Sequence, residues 1–198
     1  MKHVLLMMLG LTVAMGVYAQ RFSNGVGIAY FNTAATGIQS TNSFGLTYSP
    51  KINVTENDHF SLSVGLPISV GMSVSTGGSD NGVNGTDINS LSLMADVPLL
   101  VNLNFGAGSS RDCEDRIGFF VGAGVGYHHT EGVEEDTDQY GDQYDNNYTL
   151  NVVGPAADAG VRFGVGQKGH NIELRGSFLK GLDASKANIF GVGALFNF

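Results

Sequence analysis

In the stretch Phe60-Ser-Leu-Ser-Val-Gly-Leu-Pro-Ile-Ser-Val-Gly-Met-Ser-Val74 every even position is apolar: Phe60, Leu62, Val64, Leu66, Ile68, Val70, Met72 and Val74. The odd positions are small or weakly polar, apart from Pro67. Side chains on a strand alternate between two faces, so strict period two means a strand with two unlike faces, and no helical period fits it. Working outward, the pattern recurs from Leu91 to Phe105, from Ile117 to Tyr127 and from Phe190 to Phe198. Eight strands are expected, at about 23–32, 41–50, 58–74, 88–105, 116–130, 146–165, 170–180 and 187–198.

Alternation alone does not choose between a soluble and a membrane barrel. The second face decides. A strand surface facing water carries Lys, Glu and Thr, whereas this face is mostly Gly, Ser and Asn. Small residues suit the crowded interior of an eight-stranded barrel. Only 14% of residues are charged, well below the roughly 25% of soluble domains. Aromatics at the ends of the apolar face, Phe105, Tyr127, Tyr148 and Phe198, fit interfacial girdles. The expected fold class is all-β, an eight-stranded antiparallel up-and-down transmembrane β-barrel over residues 20–198.

Ahead of it, Lys2 and His3 precede an apolar run from Val4 to Tyr18, and Val17-Tyr18-Ala19 suits a cleavage site. Residues 1–19 therefore read as a signal peptide, too short for a spanning helix. No cysteine follows that site, so a lipid anchor is not expected. An even strand count puts both termini on one side. Connectors 51–57, 106–115 and 166–169 then fall on the terminal side, and 33–40, 75–87, 131–145 and 181–186 on the far side. Three prolines, Pro67, Pro98 and Pro155, fall inside strands and call for bulges or breaks. At Gly154-Pro155 the apolar parity switches from Tyr148, Leu150 and Val152 to Ala159, Val161 and Phe163, which predicts a bulge.

The C-terminal run Gly191-Val-Gly-Ala-Leu-Phe-Asn-Phe198, with the layout of the whole chain, resembles the small outer-membrane β-barrels of Gram-negative bacteria, the OmpA/OmpX type. The resemblance implies location in the outer membrane, contact with its lipid, and a terminal strand read by the barrel-assembly machinery. Gly193, Phe196 and Phe198 stand at the places of that assembly signal, while the polar residue expected near Gly191 is absent.

The formal net charge is −8. Glu131, Glu134, Glu135, Asp136, Asp138, Asp142 and Asp145 concentrate it in one far-side loop without Lys or Arg, so nucleic-acid binding is not indicated. Asp136-Thr-Asp138 opens like a calcium loop, but Tyr140 and Asn147 occupy ligand places, so a solvated loop is the simpler reading. Gly164-Val-Gly-Gln-Lys-Gly169 matches a phosphate-loop pattern but no helix follows it. Cys113, the sole cysteine, reads as a tolerated surface thiol. No cofactor and no metal centre is expected. His128 and His129 lie at the outer rim with Ser73 and Ser75 at similar height, the residue types of a lipid-modifying enzyme, without anything that fixes their geometry.

Five ionisable residues have inward parity: Asp96, Asp158, Arg162, Glu173 and Arg175. In the hairpin turning at Gln167-Lys168, the register that opposes Arg162 to Glu173 and sets Asp158 diagonal to Arg175 avoids facing two arginines. Asp96, Asp158 and Arg175 then come to similar depth, and the five form a network that plugs the lumen. The leading functional reading is a non-enzymatic barrel presenting surface loops, for envelope structure, adhesion, or contact with an extracellular ligand or host surface. The alternatives are a rim enzyme acting on lipid and, less favoured because the interior is filled, a narrow channel.

Overall fold

The computed structural model describes residues 22–35, 38–75, 91–137, 143–166, 169–182 and 186–198, with side chains of 38–39, 74–75, 91, 132–137 and 143–148 left aside. The segment 1–19, the tip of the acidic segment and the turn pair Gln167-Lys168 lie outside the described residues. Among the described residues there is no helix. The strands are β1 (Phe22–Ala35), β2 (Ile38–Asn57), β3 (Phe60–Gly65), β4 (Ile68–Ser75), β5 (Leu91–Gly106), β6 (Ile117–Thr137), β7 (Gln143–Gly164), β8 (Asn171–Lys180) and β9 (Asn188–Asn197).

Every pairing is antiparallel, and β1 pairs with both β2 and β9, so the sheet closes. β3 and β4 both lie between β2 and β5 and share one register with each across the break, the β2 register shifting only at a bulge between Asn53 and Thr55. They are two halves of a single wall strand interrupted at Leu66-Pro67, and the ring therefore has eight walls. In the continuing register, Pro98 of β5 stands opposite Pro67, so two residues without an N–H donor face each other where the ladder stops. The break needs no extra residue. Closure leaves no sheet edge and pairs backbone groups within the protein, which is what hydrocarbon demands.

The apolar face points outward. Ile117, Phe119, Val121, Val125 and Tyr127 on β6 are all exposed, as are Leu93, Leu99, Val101 and Leu103 on β5. From Ile117 to Tyr127, ten steps of about 3.4 Å at a tilt of about 40° span about 26 Å, the height of an outer-membrane apolar band. Phe60, Phe105 and Phe119 pack in sequence at one rim, the first pair tilted and the second stacked, with ring centroids 5.3 and 4.9 Å apart.

Three sequence expectations are corrected. β7 carries no bulge at Gly154-Pro155, because its register with β6 runs unbroken from Ile117↔Phe163 to Thr137↔Gln143. Leu150 and Val152 keep inward parity and are buried, while Val153 is exposed. They are apolar because they fill the lumen, not because they face lipid. β2 continues past Pro50 to Asn57, so residues 51–57 are strand and the turn is Asp58-His59. The acidic segment 131–145 is largely an extension of the β6–β7 hairpin, from Glu131↔Thr149 to Thr137↔Gln143. Ladder hydrogen bonds hold it beyond the apolar band without the alternation that would have marked it as strand.

Candidate functional site

The interior has two layers. Toward the far side, Phe31, Met94, Leu100, Leu150, Val152, Ala156, Leu179, Ala187 and Ile189 form a buried apolar cluster. Toward the terminal side the inward positions are mostly polar or charged, and here the strand register assembles a network.

Arg162 and Glu173 are cross-strand partners of β7 and β8. Arg162 Nε donates to Glu173 Oε2 at 2.7 Å, with both side chains 1% exposed. Arg175 lies two residues along β8 on the same face, and its Nη2 is 2.7 Å from Glu173 Oε1. Glu173 thus uses one oxygen for each guanidinium. Asp158 Oδ2 lies 3.5 Å from Arg175 Nε, an ion pair without hydrogen-bond alignment. Amides supply the remaining donors and acceptors: Asn102 Nδ2 to Asp158 Oδ1 at 2.7 Å, Arg162 Nη1 to Asn104 Oδ1 at 2.8 Å, and Asn197 Nδ2 to Glu173 Oε2 at 3.1 Å. The Phe120 ring lies under both guanidiniums, 4.3 Å from Arg162 and 5.5 Å from Arg175. Such cation–π contacts gain strength where water is excluded.

Gly122 permits this packing. A Cβ there would collide with the Asn102 amide and the Asp158 carboxylate. Lys51 is also buried, on the inward face of β2. Sequence reading missed it because Pro50 was taken as the end of the strand.

Asp96 does not pair with the network. It lines a cavity of about 30 Å³ together with Arg175, Pro67 and Pro98, room for about one or two waters. Its carboxylate, however, meets the imidazole directly across the ladder: Asp96 Oδ1 is 3.0 Å from His128 Nδ1. His128 Nε2 is in turn 3.2 Å from Thr33 Oγ1, and the imidazole is fully buried beside Phe31. A carboxylate, an imidazole and a hydroxyl are in line here, but both ring nitrogens are occupied and the ring is walled off. Ser73 is not at His128; its hydroxyl donates to the Glu131 carbonyl at 2.8 Å. His129 points outward and bonds Asn151 Oδ1 at 2.8 Å. The side chain of Ser75 lies outside the description.

At the chain end, Phe198 N donates to Asn24 O at 2.8 Å and Asn24 N to Phe198 O at 3.0 Å, so the terminal residue ties β9 to β1. The Phe196 and Phe198 rings are exposed on the outer face, whereas Gly193 lies inward opposite Arg175 and Ala29. On the same side the exposed His59 Nδ1 is 2.8 Å from Asp115 Oδ2. That hydrogen bond raises the pKa of His59 above its ordinary value and lowers that of Asp115. Cys113 is buried beside them and is not the surface thiol expected.

No family model matches the chain, and a comparison with curated proteins gives no match. Solved structures do match. The chain is similar to Ail, the attachment invasion locus protein of Yersinia pestis, with a TM-score of 0.54 and 10% identity over 90% of this chain and 99% of that one. It is similar to neisserial surface protein A with a TM-score of 0.56 and 11% identity over 89% of this chain and 95% of that one. Both are small eight-stranded outer-membrane barrels. The fold of this chain is that fold, and with its outward apolar band it is an outer-membrane barrel.

Proposed function

We propose that the chain is a non-enzymatic outer-membrane barrel whose sealed lumen serves as a rigid base for the acidic β6–β7 hairpin, and that the hairpin is the part that meets an extracellular ligand or host surface. The observation that carries this reading is the filled interior. Among the described residues, a charged layer with paired guanidiniums and an apolar cluster with Met94 and Val152 fully buried fill the lumen. The longest ladder of the barrel, that of β6 and β7, instead continues beyond the apolar band and bears the acidic cluster. On the terminal side the connection at Asp58-His59 is a two-residue turn of the periplasmic kind, though 107–116 is longer, and the far side carries the long connection between β4 and β5. One similar structure is of a protein named for attachment and invasion, which accords with a surface-contact role. In the same reading Gly193, Phe196 and Phe198 are recognised by the assembly machinery, and no cofactor takes part.

The test compares cells displaying the full chain with cells displaying a variant whose residues 132–148 are replaced by a short Gly-Asn turn. The variant is expected to insert normally, shown by heat-dependent gel mobility, and to lose adherence to host cells. Unchanged adherence would remove the hairpin from the function. Changed outer-membrane lipid composition, abolished by His128→Ala in a folded barrel, would favour the rim enzyme instead.

A further inference from the structure

The terminal-side loops gather three metal-ligating side chains that neither the lumen network nor the hairpin uses. His59 belongs to the turn between β2 and β3, and Cys113 and Asp115 to the loop 107–116 between β5 and β6. His59 Nδ1, Cys113 Sγ and an Asp115 carboxylate oxygen all lie within 4.8 Å of one another. His59 Nδ1 is 2.8 Å and Cys113 Sγ 3.6 Å from Asp115 Oδ2.

Hydrogen bonds to backbone carbonyls hold the two loops in this arrangement. Gly106 N donates to His59 O at 2.9 Å, Ser109 Oγ to Asp58 O at 3.3 Å, and Asn53 Nδ2 to Ser109 O at 3.0 Å. The loop takes this path through Gly106 and Gly108, at φ of 68° and 75°, which L side chains rarely adopt. Cys113 Sγ is drawn in by the Gly106 carbonyl at 3.2 Å. A cavity of about 430 Å³, lined in part by Cys113, Asp115 and His170, opens beside the cluster and gives an ion and its water a way in. Solvated surface charge explains an exposed carboxylate. It does not explain a buried thiol and an imidazole from a distant turn converging on the same oxygen.

We propose that His59, Cys113 and Asp115 form a binding site for a borderline divalent transition metal, Zn²⁺ first, with a fourth position open to water. One nitrogen, one sulfur and one carboxylate oxygen suit Zn²⁺ and not Ca²⁺ or Mg²⁺, which take oxygen sets. Tetrahedral Zn²⁺ with bonds of about 2.0–2.3 Å separates its donors by about 3.3–3.6 Å. The sulfur–oxygen spacing is already there, and the His59–Asp115 hydrogen bond would open by about 0.5 Å. On binding, the thiol gives its proton to solvent. The Nδ1 proton also leaves, to solvent from an imidazolium or by exchange to Nε2 in a neutral ring, so metal replaces one or two protons. The ion would clamp two adjacent turns on the terminal rim.

The experiment titrates the refolded full barrel with Co²⁺, which reports thiolate ligation by a charge-transfer absorption, and then displaces it with Zn²⁺. One Co²⁺ per barrel with that absorption is expected. Cys113→Ser should abolish the absorption, and His59→Ala and Asp115→Asn should each weaken binding at least about tenfold. Heat-dependent gel mobility checks that each variant is folded. Co²⁺ bound equally by the Cys113→Ser variant and without the charge-transfer band would overturn the proposal and point to the acidic hairpin. No stoichiometric Co²⁺ on the parent barrel would overturn it as well.

Discussion

Glu173→Gln changes one oxygen to an amide and keeps the side-chain shape. In the native barrel Glu173 is 1% exposed and gives one carboxylate oxygen to Arg162 and the other to Arg175, each at 2.7 Å. After the change Arg175 keeps Asp158, but Arg162 loses the carboxylate it is paired with. Breaking a buried pair by removing one partner costs roughly 3–5 kcal/mol, because the other charge stays behind without compensation. Asn197 Nδ2 can still donate to the glutamine oxygen, so packing changes little and the loss is electrostatic. Replacing both partners, Arg162→Met with Glu173→Leu, removes the stranded charge and should recover at least about 2 kcal/mol of it. The assay is a urea titration of the refolded barrel, with folded fraction read by unheated gel mobility and by tyrosine fluorescence, since the chain has no tryptophan. A cost below about 1 kcal/mol for Glu173→Gln, or a double variant no more stable than the single one, would refute a desolvated ion pair at this position.

Other perturbations test separate parts. Phe198→Ser keeps both backbone bonds to Asn24 and removes only the ring; it should lower insertion in cells while refolding in detergent is unchanged, and an equal drop in both would make the ring a matter of barrel stability alone. Gly122→Val should destabilise by about 1–3 kcal/mol through overpacking against Asn102 and Asp158, and unchanged stability would mean this level of the lumen is open. Protease added to intact cells should cut within 138–142 and leave the wall strands whole, whereas cleavage at the Asp58-His59 turn would invert the orientation. Added Ca²⁺ should leave that cleavage rate unchanged if the hairpin carboxylates are simply solvated.

The wall strands were legible because each has one face in lipid and one in a crowded lumen. From Phe60 to Val74 both constraints repeat every second residue, and the pattern survives even the break at Pro67. The Arg162–Glu173 opposition was legible because the alternative register faces like charges. The charge count could not foresee that Asp96 would be taken by His128, since that choice depends on the β5–β6 ladder placing the imidazole directly opposite. Leu150 and Val152 were misread for a related reason: an apolar residue suits lipid and a dry lumen equally, and only the ladder says which face it is on. Lys51 was hidden behind Pro50. The His59–Cys113–Asp115 cluster was invisible because its members lie as many as 56 residues apart and meet through irregular loops, which carry no period.

The two lumen layers act in series, which changes what a conductance measurement can say. A permeating ion would have to separate guanidiniums from Glu173 and Asp158, and would then have to enter a layer where Met94, Val152 and Ile189 are at most 2% exposed. Arg175→Ala opens space at the first barrier only. The space joins a small cavity, but above it Phe31, Met94, Val152 and Ile189 still close the lumen around His128, whose two ring nitrogens are held by Asp96 and Thr33. This variant should therefore remain silent in planar bilayers. Conductance should need both changes together, Arg175→Ala with Met94→Ser and Val152→Ser in the apolar layer. A stable current in Arg175→Ala alone would show that the apolar cluster is no seal. It would also return the channel reading to consideration, because the rigid-base argument rests on an interior closed twice over.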